Sequence, residues 1–168
     1  MTDFHKISVK DVNENPFSLI GNDWMLITAG DLSDFNTMTA SWGGLGVLWK
    51  KNVCFLFVRK SRYTFEYIEK SDKLTLSFFE SEYRNALTFC GKNRGRDVDK
   101  CKETGLSPIV LDNGAVSFSQ ARLILNCKKL YWQDIDKNNF LDESISENYL
   151  DGDFHRVYCC EITDIFEK

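Results

Sequence analysis

Short apolar stretches separated by turn-forming residues dominate the first half of the sequence. Residues 53–58 are apolar at every position, which is typical of a strand buried on both faces. Residues 24–29 and 36–40 predict two further strands, and the link at 31–34 has the composition and length of a hairpin connection. Residues 74–79 predict another strand.

Helical patterns interrupt these strands. Ser61 is a suitable N-cap for a helix over 62–70, and Ser81 is one for a helix that ends at Gly91. The polar stretch 92–99 has no periodicity and predicts a loop, followed by a short helix over 99–104 that ends at Gly105.

Longer strands are predicted in the second half, over 115–118, 121–131 and 156–166. In the middle strand, mostly apolar positions alternate with positions that are partly polar or charged. This pattern is typical of a barrel strand with one side more exposed to water. Many strands with a few helices predict a mainly β fold in a single domain over 1–168. An antiparallel barrel is favoured, and we expect it to be closed because closure removes exposed sheet edges.

Composition narrows the range of partners. The chain has 168 residues, 43% of them hydrophobic, and a formal net charge of −4. An acidic balance lowers the expectation of nucleic-acid binding, which requires a dense cationic face. The first residues lack the apolar region of a signal peptide, and no apolar run is long enough to span a bilayer. We therefore expect no membrane partner and a cytoplasmic location.

The cysteine and histidine patterns favour no metal site. The six cysteines include no CxxC pair, and the two histidines, His5 and His155, lie far apart in sequence. Free and mostly buried thiols are expected in a reducing compartment. The sequence contains no P-loop, nucleophile elbow or dinucleotide-binding fingerprint. Its catalytic residues therefore stay unassigned.

Three segments could carry binding chemistry. Residues 59–64 place three cations and two aliphatic hydroxyls where a strand meets a helix N-terminus, which favours an anion such as phosphate. Residues 36–44 are small around Trp42, so a planar ligand could approach the backbone closely. Residues 90–100 form a basic loop that could close over an anion. For each segment the simpler interpretation is structural: a capped helix, a glycine turn and a solvated loop.

Several motifs, in their order along the chain, resemble the flavin reductase-like family, which includes flavoredoxin. They are residues 38–44, 58–64, 74–79, Tyr83-Arg84, Cys90-Gly91, 95–97, Asp99-Lys100 and the stretch 121–131. The resemblance covers nearly the whole chain. It implies an FMN-binding split β-barrel that acts as a homodimer, with the flavin near the subunit interface.

The resemblance also implies roles for particular residues. The flavin ring and ribityl chain would be bordered by Thr39, Ala40, Ser41 and Trp42. The phosphate would be held by Arg59, Ser61, Arg62 and Thr64, with Lys60 and Lys100 as further candidates. The remaining wall would be lined by Phe79, Gly95, Arg96 and Asp97.

The implied activity is electron transfer from NADH or NADPH to flavin or a downstream acceptor. Three positions depart from the family pattern: Lys60 replaces a frequent proline, Arg94 a small serine and Cys160 a glycine. Arg94 bears on the access of a nicotinamide donor, so the donor preference is open. Two alternatives stay open as well: an FMN-binding electron carrier without its own nicotinamide site, and a non-catalytic ligand-binding barrel.

Overall fold

The computed structural model describes residues 3–168. Its strands in that range are β1 (His5–Ile7), β2 (Met25–Asp31), β3 (Asp34–Ala40), β4 (Gly43–Leu48), β5 (Lys51–Arg59), β6 (Lys73–Phe78), β7 (Pro108–Val110), β8 (Val116–Phe118), β9 (Leu123–Asp134) and β10 (His155–Glu167). Its α-helices are α1 (Pro16–Ser18), α2 (Tyr63–Lys70), α3 (Arg84–Lys92) and α4 (Lys100–Thr104). A π-helical turn (Leu19–Asp23) continues α1, and 3₁₀ turns (Lys137–Asn139 and Glu143–Tyr149) lie between β9 and β10.

One antiparallel sheet organises the molecule. Its strand order is β3-β2-β6-β9-β10-β5-β4, with β1 added to β10, while β7 and β8 form a separate pair. The long β9–β10 pairing contains two register shifts, between Cys159 and Cys160 and between Ile162 and Asp164. Bulges of this kind increase twist and bend a strand, so they help the long pair to curve around a core.

The sheet curls around a shared core and stays split at one seam. Buried side chains from six of its strands pack into one cluster, which includes Ile27, Met38, Leu56, Leu76, Leu125 and Tyr158. Within residues 3–168 the hydrogen-bonded path does not return on itself, since β3 and β4 are its two ends and are joined only through Ser41 and Trp42. The predicted antiparallel split β-barrel is therefore confirmed, while full closure is not observed.

A second apolar cluster covers the outside of the sheet. Neighbouring residues of a strand point to opposite faces, so Ile27 faces the barrel interior while Leu26 packs outward with Leu87 of α3 and Phe118 of β8. Helix α2 contributes the fully buried Ile68 to the interior cluster. These contacts, together with β8, explain why β2 and β6 are buried on both faces.

Most predicted elements are confirmed, with three strands missed: the short β1 and β7, and β4. The structure extends the strand predicted at 53–58 to Lys51–Arg59, and it places the predicted short helix at Lys100–Thr104, with Asp99 as N-cap and Gly105 in the left-handed region. Strand β4 was not predicted because it consists largely of glycines. It pairs with β5, and a Cβ at Gly44 would lie 3.8 Å from the Phe55 ring.

Both predicted serine caps are wrong. Helix α2 starts at Tyr63, one residue later than predicted, so Arg62 occupies the N-cap position and makes no side-chain cap. The Ser61 hydroxyl donates to Asp153 Oδ2 at 2.5 Å instead. Ser81 begins a 3₁₀ turn, and α3 starts only at Arg84 and runs one residue past Gly91.

All six cysteines are free thiols, as expected. Cys54, Cys90, Cys127, Cys159 and Cys160 are buried, while Cys101 is half-buried. No helix within residues 3–168 is long and apolar enough to cross a membrane.

Candidate functional site

A polar cavity of about 250 Å³ lies where β3, the start of α2 and the α3–α4 loop meet. Five residues predicted from the sequence line it: Ser61, Arg62, Thr64, Gly95 and Lys100. The other lining residues lie within the three candidate segments but were given no individual role in cofactor binding: Asn36, Met38, Tyr63, Lys92, Asn93 and Arg94. We call this space the anion cavity, because four of its side chains are cationic and none is acidic.

Lys100 brings a buried charge to the anion cavity. Its side chain is only 7% exposed, and its Nζ donates to the carbonyl oxygens of Thr37 at 2.7 Å and Cys90 at 2.8 Å. No carboxylate in residues 3–168 lies within 4 Å of it. Burial, and to a smaller extent the nearby Arg62, lowers the pKa of Lys100 to about 8. The amine is therefore mostly protonated at neutral pH without a counterion.

Arg62 is the second cation without an acidic partner in the described chain. Its Nη2 donates to the Gly91 carbonyl at 2.8 Å, and no ion pair involves it within residues 3–168. Burial lowers the pKa of Arg62, and the charges of Arg59 and Arg94 lower it further. Buried charges are costly unless paired, so an anion between Arg62 and Lys100 would be stabilised by both.

Asn36 and Thr64 form the polar wall of the anion cavity. Asn36 Nδ2 donates to Thr64 Oγ1 at 2.8 Å, and both side chains are buried. Gly95 packs so closely on Asn36 that a Cβ at this position would overlap the amide oxygen. The sequence signal for Asn36 was its place at the start of a predicted strand and of the candidate segment 36–44.

Other residues predicted to hold the phosphate point elsewhere in this structure. Arg59 donates to the carbonyls of Asn148 at 2.6 Å and Asp153 at 3.0 Å and pairs with the Asp151 carboxylate at 3.2 Å. Lys60 pairs with Asp134 at 2.6 Å. Neither residue lines the anion cavity.

The residues predicted to form the remaining wall are also dispersed, apart from Gly95. Arg96 pairs with Glu66 and lies 4.3 Å from the centre of the Tyr63 ring. Asp97 is exposed. Phe79 is buried in the outer apolar cluster, 6.3 Å from the Phe118 ring.

A second cavity, of about 520 Å³, lies at the seam between β3 and β4. Ser41 and Trp42 line it together with Gly43, Gly44, Phe57 and Tyr149, among others. Thr39 and Ala40 do not line it: Thr39 Oγ1 donates to the Leu87 carbonyl at 2.5 Å, and Ala40 is buried in the interior core. We call this space the seam cavity.

Strand β3 connects the two cavities. Asn36 and Met38 line the anion cavity, and Ser41 and Trp42 line the seam cavity. Five residues of extended chain span about 16 Å. A ligand with an anionic tail and a planar ring could therefore lie along this strand.

A neutral histidine backs the seam cavity. The Trp42 and His155 ring centres are 5.2 Å apart, and His155 Nδ1 is 2.9 Å from the Tyr149 hydroxyl. Burial, followed by the charge of Arg59, lowers the pKa of His155 to about 4. No cluster of three or more metal-ligating side chains occurs within residues 3–168.

The sequence matches the family model described as "Flavin reductase like domain" over residues 17–167. Because the match covers most of the chain, the protein belongs to this family. A comparison with curated protein sequences finds no match.

Solved structures with the same fold include proteins of this type. An FMN-binding domain of flavin reductase-like enzyme from Shewanella baltica matches with a TM-score of 0.70 and 14% identity, over 98% of this chain and 77% of that one. Flavoredoxin of Desulfovibrio vulgaris gives a TM-score of 0.68 and 18% identity, over 98% and 77%. An NADH:FAD oxidoreductase from Streptomyces globisporus gives a TM-score of 0.67 and 15% identity, over 87% of this chain and 75% of that one. These similarities support the fold assignment.

Proposed function

We propose that this protein binds FMN along β3, with the phosphate in the anion cavity and the ring in the seam cavity. The observation that carries the proposal is the pair of cations, Arg62 and Lys100, that lack acidic partners within residues 3–168 and line one cavity. A phosphate supplies the negative charge that both lack. Family membership and the FMN-binding proteins among the similar structures support the choice of ligand.

The residues of the anion cavity fit a phosphate. Arg62 presents a planar fork of donors, Lys100 a point charge, and Thr64 a hydroxyl beside the start of α2. The close packing of Gly95 on Asn36 leaves the loop backbone at the edge of the cavity. Charge-assisted hydrogen bonds of this type fix the tail of a ligand and orient the rest of it.

The seam cavity fits a planar ring. Ser41 and Trp42 lie between β3 and β4, so their backbone N–H groups belong to neither strand ladder. Such groups can donate to ring heteroatoms and stabilise negative charge there. Trp42 provides a flat apolar wall, which is 46% exposed in this structure.

We infer an oxidoreductase function from this arrangement. When bound, FMN supplies the electron-transfer chemistry, with NADH or NADPH as donor and flavin or another molecule as acceptor. The NADH:FAD oxidoreductase among the similar structures supports this choice of donor. The role of the protein is then to hold the ring, exclude water from one face and leave the other face accessible.

The first test is the absorption spectrum of the purified protein and its titration with FMN. We expect a yellow protein, or saturable quenching of flavin fluorescence, and weaker binding of riboflavin because it lacks the phosphate. A colourless preparation that also ignores added FMN would exclude both flavin functions and leave a ligand-binding barrel.

Steady-state oxidation of NADH and NADPH with added FMN then separates enzyme from carrier. Turnover above the protein-free rate supports a flavin reductase. Bound FMN without nicotinamide oxidation supports an electron carrier of the flavoredoxin type.

We further propose a homodimer whose subunits meet near the seam cavity, where Phe17 is 84% exposed. Sedimentation should give twice the chain mass of 19.5 kDa. A monomer at all concentrations and FMN loadings would reject the dimer. The cytoplasmic location stays a prediction from the sequence.

A further inference from the structure

One lining residue of the anion cavity, Ser61, has its donors already occupied by an acidic side chain from outside the cavity lining. Ser61 lines the cavity, and both of its donors contact Asp153: the hydroxyl donates to Oδ2 at 2.5 Å and the backbone N–H to Oδ1 at 3.3 Å. A hydroxyl and a backbone N–H just before α2 are the groups that would bind a phosphate oxygen. The carboxylate of Asp153 therefore holds an anion position beside Arg62.

The segment that carries Asp153 is attached through Arg59 and through the buried Tyr149, whose hydroxyl is 2.9 Å from His155 Nδ1. Arg59 contacts the carbonyls of Asn148 and Asp153 and the carboxylate of Asp151. Tyr149, in the same segment, lines the seam cavity, and its ring lies 5.3 Å from the Arg59 guanidinium carbon. Movement of residues 148–153 would therefore change the seam cavity directly through Tyr149, and the anion cavity through the contact between Asp153 and Ser61.

We propose that Asp153 is a specificity-determining competitor for the ligand phosphate: the phosphate displaces its carboxylate from Ser61 and loosens residues 148–153. This proposal rests on the proposed binding of FMN phosphate in the anion cavity. The physical reason is that two anions cannot share the two donors of Ser61, and the phosphate, with its higher charge, is favoured by Arg62 and Lys100.

Displacement gives Asp153 a role in selectivity. A ligand without a phosphate leaves Asp153 on Ser61 and Tyr149 in place at the seam cavity. A phosphorylated ligand releases the segment and changes the wall of the seam cavity. The protein would thereby distinguish FMN from riboflavin by the shape of its ring site as well as by charge.

The test compares Asp153→Asn with the wild-type protein. The amide keeps the shape of the side chain but removes its charge, so it competes less strongly for the Ser61 donors. FMN and inorganic phosphate should each bind roughly threefold to tenfold more tightly, the effect of removing one solvent-screened charge a few ångströms away. Riboflavin affinity should stay unchanged. Equal or weaker FMN and phosphate binding would overturn the proposal.

Glu147→Gln is the matched control, because it removes one negative charge from an exposed position beside the same segment and leaves the contacts of Asp153, Asp151 and Arg59 in place. We expect less than a twofold change in its affinity for inorganic phosphate. If both variants gain the same affinity for inorganic phosphate, the gain comes from the lower overall negative charge, and the role of Asp153 is rejected.

Hydrogen exchange separates this proposal from the FMN proposal. Inorganic phosphate alone should accelerate amide exchange over residues 148–154 in the wild-type protein. If inorganic phosphate binds and accelerates this exchange but FMN does not bind, the proposed function fails and the role of Asp153 stands. Unchanged or slower exchange with saturating phosphate, or no phosphate binding, overturns the role of Asp153.

Discussion

At the residue scale, the candidate site is defined by charges that the protein does not neutralise. Arg156, Arg122 and Lys51 all have acidic partners, whereas Arg62 and Lys100 contact carbonyl oxygens. Both residues were predicted. Arg62 belongs to a basic turn before a predicted helix, which the sequence alone reveals, and Lys100 followed from the resemblance to the family. The sequence could not predict that Arg59 turns away, since its partners lie about ninety positions further along the chain.

Arg62→Ala should weaken FMN binding by roughly 1–3 kcal/mol, the loss of a charge-assisted hydrogen bond. Fluorescence titration measures the change. Lys102→Ala, which removes an exposed cation of α4, should bind FMN like the wild type. If Arg62→Ala binds FMN with wild-type affinity, the phosphate does not lie in the anion cavity.

FMN affinity should decrease as the pH rises through the pKa of Lys100, about 8. The charged amine is the protonated form, so its attraction for phosphate is present below that pKa and lost above it. The phosphate itself is fully ionised in this range, since its second pKa is about 6. The Cys90 thiol does not interfere, because burial raises its pKa to about 11.

Titrations between pH 7.5 and 9.5 test this prediction. Lys100→Met should bind more weakly at the lower pH and lose most of the pH dependence. A wild-type affinity that is flat over this range would show that Lys100 does not face the phosphate.

At the element scale, the sequence predicted those helices and strands that are specified by their own residues rather than by their partners in the fold. The apolar run of β5 and the Asp99 and Gly105 caps of α4 are local signals. Strand β4 has no such signal, because it exists only through its pairing with β5. The predicted Ser61 cap was wrong because helix α2 starts one residue later. The Ser61 hydroxyl donates instead to the carboxylate of Asp153, which is distant in sequence.

Docking of the 92–99 loop on β3 depends on Gly95. Gly95→Ala should lower the free energy of unfolding by roughly 1–3 kcal/mol, because the new methyl overlaps the buried Asn36 amide. Urea denaturation without flavin measures it. At Gly46 a Cβ would lie 3.9 Å from Phe55, so Gly46→Ala should cost less. Equal stability of Gly95→Ala and wild type would show that the loop yields freely.

Arg156 joins three elements. It pairs with Asp134 of β9 at 2.6 Å and with Glu69 of α2 at 2.8 Å, and its own side chain is 11% exposed. Arg156→Ala should destabilise the fold by roughly 1–3 kcal/mol in urea denaturation.

Lys51→Ala breaks the more exposed pair with Glu161 and should cost less than about 1 kcal/mol. If the two variants lose the same stability, α2 is not held by Arg156.

At the scale of the whole molecule, pairing between distant segments creates the site. β10 pairs with β5 across about a hundred residues, and this pairing sets His155 opposite Arg59. β3 then runs between the anion cavity and the seam cavity at the open edge of the barrel. Strand order and the seam are not encoded in any single segment, so only the resemblance to a family could predict the split barrel.

Because five of the six sulfhydryls are buried, their reaction with an external reagent reports how often the barrel unfolds. A thiol-reactive dye should label the half-buried Cys101 slowly, and the other five cysteines should stay unlabelled while the barrel is intact. Global unfolding would release the remaining five together, so their common labelling rate reports the opening rate. Five sulfhydryls that react independently, each at its own rate, would instead reveal local breathing of separate strands.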